Sequence, residues 1–279
     1  MPYGVRVQLG HAAVQHVAGA VGARVLHVKG FAVDPSLRRP GRQGTDVDVL
    51  VHPHDVDAVL SALDWAGWAH VTGFETGSAF GHATTLHHRH YGYADVHRFY
   101  PGLGDDPTAS FELLWAERGE ARIGGLACPV PSLPAQVLTL LLNAGRALPG
   151  DPAKQDIAHV WDAAEEQRRS EVRDLVARLG VGIGFAAAVG DLEDYRDRPD
   201  YGLWRVSGYG GTRLDEWRAR VRAAATPRAK LALVLKAPLV NVDHLAAILG
   251  RRPTPLEVVR EFFARPARGV REEWRRWRP

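Results

Sequence analysis

The chain of 279 residues has a single cysteine, Cys128. One thiol cannot close an internal disulfide, so no disulfide framework is expected, and the chain is read most simply as cytoplasmic. With Leu126, Ala127 and Pro129 as neighbours, Cys128 reads as a small buried hydrophobe and not as a nucleophile. No run approaches about 18 consecutive apolar residues, which excludes a membrane helix and a membrane partner. Met1-Pro2-Tyr3-Gly4 lacks the basic-then-apolar form of a secretory leader. Repeats and low-complexity linkers are missing as well. Net charge is small, +3, and it is terminal: residues 265–279 hold six Arg against Glu272 and Glu273, a local +4, so the preceding chain sums to −1.

What is there centres on Gly44-Thr45-Asp46-Val47-Asp48-Val49-Leu50-Val51. Side chains alternate along a strand, so Asp46 and Asp48 share one face while Val47, Val49 and Val51 share the other. Two neighbouring carboxylates repel each other and are best tolerated around a divalent cation. On this reasoning Asp48→Asn should leave folding intact and even relieve strain in the metal-free protein. Upstream, Arg24 to Lys29 reads as a short apolar strand ending in Lys29-Gly30. Glycine lets backbone N–H groups approach an anion, and lysine adds a point charge for phosphate. Arg42 stands four residues before the first acid, suited to a bidentate phosphate contact or to an ion pair with Asp46.

Strand, Lys-Gly, spacer, Arg, and Asp-apolar-Asp on a second strand together resemble the nucleotidyltransferases of the DNA polymerase β superfamily. Within it, Val28-Lys29-Gly30, Arg42 to Val51, and Ala94-Asp95-Val96-His97 resemble an uncharacterised bacterial nucleotidyltransferase family, over roughly residues 20–165. Gly30-Phe31 departs from the superfamily's usual Gly-Ser or Gly-Gly. The resemblance implies an α+β fold: a polymerase β-like nucleotidyltransferase lobe with a small mixed sheet at residues 1–130, then a helical lobe with a basic tail at 131–279. It implies Asp46, Asp48 and Asp95 as metal and catalytic residues, Asp95 being third ligand, general base or both. Lys29, Gly30, Arg42 and Thr45 would bind the nucleotide. Mg²⁺, with Mn²⁺ as the alternative, would bridge the phosphates of an NTP, ATP among the candidates. A nucleoside monophosphate would pass to a hydroxyl of a small molecule or protein. Two alternatives stay open: an RNA-directed, toxin-type enzyme, and a catalytically inert nucleotide-binding regulatory protein.

Local patterns place these motifs. Residues 5–22 read as a helix closed by Gly22, and Val56, Val59, Leu60 and Leu63 give a second helical stripe after His52-Pro53-His54-Asp55, where Asp55 is expected to cap. Residues 82–99 read as two strand segments divided at Gly92, with Asp95 and His97 on one face. Five histidines there lack the spacing of a zinc site, and His97 is expected to support the carboxylates by hydrogen bonding. A hairpin is expected over 121–126, and Ser132 and Pro134 open a helix that is apolar nearly all round. Further helices are expected from Lys154 to Trp161, with Asp156-Ile157 at its head, and over 171–192, 213–225, 228–235 and 254–264. Asn143 stands where the resembled family has a histidine, and Lys154 is weighed as a phosphate contact against a solvated lysine. In the tail, Arg271, Arg275, Arg276 and Arg278 interleave with Trp274 and Trp277. That pattern suits either RNA or, as preferred, an amphipathic helix packing both tryptophans on the body.

Overall fold

A computed structural model describes residues 1–42, 44–74, 80–236, 242, 245, 249, 251–262 and 264. The 265–279 tail, for which packing was preferred over RNA binding, lies outside the described residues. Helix α1 (Tyr3–Ala20) is followed by β1 (Val25–His27), two short 3-10 turns, β2 (Val47–Val51), α2 (Val56–Trp65), β3 (Ala69–His70), β4 (Ala83–His88) and β5 (Gly92–His97). The five strands form one mixed sheet in the order β1-β2-β5-β4-β3. Only the central pair, β2 and β5, is parallel, with Asp48 opposite Asp95, whereas β1/β2, β4/β5 and β3/β4 are antiparallel. Helix α3 (Pro107–Ala116) leads to a separate hairpin of β6 (Gly119–Ile123) and β7 (Leu126–Val130). The small mixed sheet of an α+β fold is as expected from the sequence.

The period-two alternation of β2 sorts its residues between two cores. Val47, Val49 and Val51 pack with Val7 and Val14 of α1, Val59 and Leu63 of α2, and Val96 of β5. On the opposite face Leu26, Val28 and Leu50 join the helical half of the chain. Its centre is α4 (Leu133–Gly145), in which Val137, Leu138, Leu140, Leu141 and Leu142 are all buried. At about 1.5–3 kcal/mol for each such side chain, burying these five contributes on the order of 10 kcal/mol before the entropy cost. This apolar cluster also takes in Val160, Val172, Leu175 and Trp204, so it draws on residues from both sides of position 130. Asp46, Asp48, Asp95 and His97 share the face turned toward the helices.

After α4 come a short helical turn (Gln155–Ile157) that widens into a π-turn (Ala158–Asp162), α5 (Glu166–Leu179), α6 (Gly182–Val189), α7 (Tyr201–Tyr209), α8 (Arg213–Ala223) and α9 (Pro227–Lys236). The pattern expected as one helix over 171–192 is two, because Gly180 turns left-handed (φ 64°) and ends the first. Two expected caps are not made as expected. Asp55 makes no side-chain cap to α2; its carboxylate accepts from the Arg24 backbone N–H, while the His52 ring accepts from the His54 N–H. Ser132 makes no cap, and Gln136 instead accepts from the Asp34 N–H and donates to the Pro131 carbonyl, tying the loop after β1 to α4. No helix among the described residues is long and apolar enough to cross a membrane. Cys128 is buried, with its pKa raised to about 11 by burial, which suits an unreactive thiol.

Candidate active site

The carboxylate strand is placed by a close approach of two glycines. Lys29, two residues past β1, sits at positive φ (54°), a strained conformation for a lysine, and Gly30 follows at φ 56°. A Cβ built on Gly44 would lie 2.9 Å from the Gly30 Cα, so only glycines let the Lys-Gly turn press against the chain entering β2. The Tyr3 hydroxyl donates to the Thr45 carbonyl (2.5 Å), fixing that entry from α1. Beside it, the Thr45 hydroxyl donates to Asp46 (3.1 Å).

This geometry turns the Lys29 ammonium back onto the sheet, where Nζ donates to Asp48 Oδ1 (2.5 Å). His97 Nε2 donates to the same oxygen (2.9 Å), leaving its Nδ1 buried without a partner. Burial alone would raise the Asp48 pKa, but the charge of Lys29 and the bond from His97 hold it well below the usual carboxylate range. Burial would likewise lower Lys29, yet Asp48 outweighs it and the ammonium titrates above an ordinary lysine. His97 is shifted down, chiefly by burial. Asp46 is different. It lies half-buried and among the described residues has no ion pair; burial, and then the Asp48 charge, push its pKa up to about 6. Asp95 adds to that push, so the fields of the three expected acids meet at Asp46. Asp95 accepts from the Thr85 hydroxyl (2.6 Å) on the adjacent strand, and makes no ion pair with Arg89 or Arg98. Arg98 lies over the Phe74 ring instead.

Ligand atoms of Asp48, Asp95 and His97 lie within 4.8 Å of one another, the one such group of three among the described residues. Asp46 is not in that trio; it stands two residues upstream on the same face. Carboxylate oxygens suit a hard divalent ion such as Mg²⁺, and the imidazole nitrogen suits Mn²⁺ as well. The unpaired charge excess at Asp46 is what a bound cation would relieve, so the donor set fits a divalent metal. Among the described residues, His52, His54, His87, His88 and His90 belong to no such group.

Asp46 and Asp48 open onto a cavity of about 590 Å³ between sheet and helices, and Asp95, beside Asp48, is not among its lining residues. Lys29, Gly30, Thr45, Asp46 and Asp48 line it from the sheet, Phe80 from the segment before β4, and Leu140, Asn143, Arg146 and Asp156 from the helical half. Arg42 reaches this cavity, but its partner is not Asp46. It pairs with Asp156, which also binds Arg39 Nε (2.7 Å). Arg39 further donates to Gln155 (2.6 Å) and to the Pro152 carbonyl (2.7 Å), so the loop before β2 is clamped to the head of the helical segment. Lys154 lies 5.6 Å from the Tyr209 ring centre and does not line the cavity.

Sequence reasoning missed Asp156 and Arg146 as cavity residues. Asp156 was visible only as the head of a helix, because its two arginine partners are more than a hundred residues away. Arg146 carried one usable signal, its i+3 spacing from Asn143, to which it donates (3.4 Å).

No protein-family model and no curated protein matches the sequence. Among solved structures, similarity extends to the lincosamide antibiotic adenylyltransferase LnuA in its lincomycin-bound crystal structure, at 17% identity over 60% of this chain and 94% of that one (TM-score 0.35). The antibiotic-resistance factor ANT(2'')-Ia aligns at 13% identity over 68% of this chain and 92% of its own (TM-score 0.37). An antigenic nucleotidyltransferase-like protein from Paracoccidioides brasiliensis aligns at 14% identity over 65% and 93% (TM-score 0.38).

Proposed function

We propose that this protein is a divalent-metal-dependent nucleotidyltransferase that moves a nucleoside monophosphate from an NTP to a hydroxyl of a small molecule or protein. Residues 1–130 serve as the catalytic lobe and 131–279 as a helical lobe closing the cleft. The observation that carries the reading is the parallel β2/β5 pair, which sets Asp48 beside Asp95 with Asp46 on the same face, Asp46 and Asp48 lining a cavity that also holds several cationic side chains. Asp46, Asp48 and Asp95 are the residues that would hold the metal, with His97 as a fourth donor at the back. A bound Mg²⁺ or Mn²⁺ supplies charge neutralisation at the phosphates and lowers the pKa of a hydroxyl beside it.

The chain's own side chains account for the remaining steps. Lys29 and Arg42, released from their carboxylate partners when phosphate arrives, bind the triphosphate with the Gly30 and Thr45 segment against it. The acceptor oxygen attacks the α-phosphorus, the α-phosphorus bond to the bridging oxygen breaks, and pyrophosphate leaves. The acceptor's proton passes to the Asp95 carboxylate, which the Thr85 hydroxyl orients. His97 holds Asp48 in place throughout, and until phosphate arrives Lys29 helps to keep it ionised.

Titration calorimetry with Mg²⁺ and each NTP in turn tests the binding half of this proposal. The wild-type protein should bind at least one NTP far more tightly with Mg²⁺ than in EDTA, and Asp46→Asn should remove most of that difference. Affinity indifferent to both the metal and the substitution would sink the reading.

A further inference from the structure

The cations lining the cavity are almost all spoken for. Lys29 is paired with Asp48, and Arg39 and Arg42 share Asp156. Arg38 is exposed, and its guanidinium donates to the carbonyls of Val33 (2.6 Å) and Phe31 (2.9 Å), where water screens it. Arg146 is the exception. It is half-buried, and its partners are neutral: His82 Nε2 at 2.8 Å, Asn143 Oδ1 at 3.4 Å, and the Tyr100 ring, 5.1 Å from the guanidinium carbon to the ring centre. Among the described residues no carboxylate lies within ion-pair distance of it. His82 accepts from it and so is neutral; burial, and then the Arg146 charge, hold the ring well below the usual histidine range.

Two features keep this cation in place without neutralising it. Arg146 is the C-cap of α4, where helix carbonyls favour positive charge. The acceptors on Asn143 and His82 satisfy part of the guanidinium fork. Its charge nevertheless opposes that of Lys29, and each cation disfavours the other. Two like charges facing one cavity, one of them without a counter-ion, are the mirror image of the paired acids on the sheet. The absent partner is an anion.

We infer that Arg146 is a nucleotide-binding residue of the helical lobe, its guanidinium gripping the triphosphate from the helical side of the cavity that Asp46 and Asp48 line. The inference rests on the nucleotidyltransferase reading and adds a residue to it. The triphosphate is favoured over an anionic group on the acceptor because Arg146 binds His82 (2.8 Å), whose ring lies 5.1 Å from that of His97, the residue bound to Asp48, so its charge falls near the acids beside which the phosphates must lie.

The experiment compares wild type, Arg146→Gln and Arg146→Lys by titration calorimetry. The ligands are the Mg²⁺-bound α,β-methylene analogues of the four NTPs and the matching nucleosides. Loss of a charge-assisted, bidentate contact should weaken triphosphate binding by Arg146→Gln about tenfold or more, leave nucleoside affinity within about twofold, and be partly restored in Arg146→Lys. Triphosphate affinity equal to wild type in Arg146→Gln overturns the inference, as does a parallel loss for triphosphate and nucleoside. If Arg146→Gln does not fold, the same split read in Arg146→Lys decides, because lysine keeps the charge and loses the fork. A wild-type protein that binds no Mg²⁺-triphosphate analogue at all overturns the function itself, so the two failures are told apart.

Discussion

Replacing Asp46 by Asn should make the metal-free protein more stable, and only above mildly acid pH. In the folded chain the Asp46 carboxyl holds its proton to about pH 6, against an ordinary value of 3.8, because burial and the Asp48 charge disfavour the anion. Below pH 3.8 the group is protonated whether folded or not and adds nothing. Between 3.8 and 6 the unfolded chain loses its proton first, so stability falls as pH rises, and above 6 the whole cost remains. A shift of about two pH units corresponds to about 3 kcal/mol. Water reaching a half-buried side chain screens that figure to on the order of 1–2 kcal/mol. For a chain of this size the gain corresponds to about 2–6 °C in melting temperature at pH 8, falling to less than half of that at pH 4.5. Melting curves of both proteins in EDTA at the two pH values measure it. A gain that is the same at pH 4.5 and pH 8, or a loss at pH 8, refutes the charge-repulsion reasoning. Adding Mg²⁺ should then raise the melting temperature of the wild type and not that of the variant.

Asp48→Asn should do the opposite at neutral pH, costing about 3–5 kcal/mol in denaturant titrations, because it leaves the Lys29 ammonium buried without its carboxylate. Asp95→Asn should keep most nucleotide affinity while turnover falls about 10²- to 10⁴-fold, as loss of a proton acceptor requires, and single-turnover kinetics separate the two. Asp156→Ala releases both Arg39 and Arg42, and should lower stability by about 1–3 kcal/mol while increasing susceptibility of the loop before β2 to proteolysis.

Strand β2 was legible because its alternation is strict, and the acids that share a face in the sequence share one in the fold. That Asp95 lies beside Asp48 followed only from the resemblance, since strand neighbours distant in sequence leave no local trace; the register later placed them abreast. The effect expected of Asp48→Asn changes sign for the same reason. Sequence spacing shows the repulsion from Asp46, whereas Lys29 and His97, which reverse the sign, arrive through tertiary packing. Arg42 lines the cavity, and the ion pair weighed as its alternative role is made with Asp156 and not with Asp46, because Asp156 comes from the helical half. The break at Gly180 is local, a glycine turning left-handed, whereas the hydrogen bonds that Asp55 and Gln136 make to Arg24 and Asp34 join partners distant in sequence, which propensity does not encode.

Nucleotidyl transfer itself is tested most directly by following the label. The protein is incubated with Mg²⁺, a cell extract and each NTP in two forms, labelled at the α- or at the γ-phosphate. Transfer to a hydroxyl predicts α-label on a new small molecule or protein, γ-label recovered as pyrophosphate, and neither product with Asp46→Asn. Label retained on RNA would move the acceptor to nucleic acid, and γ-label on any acceptor, or no release of pyrophosphate with any of the four nucleotides, would contradict the proposed function.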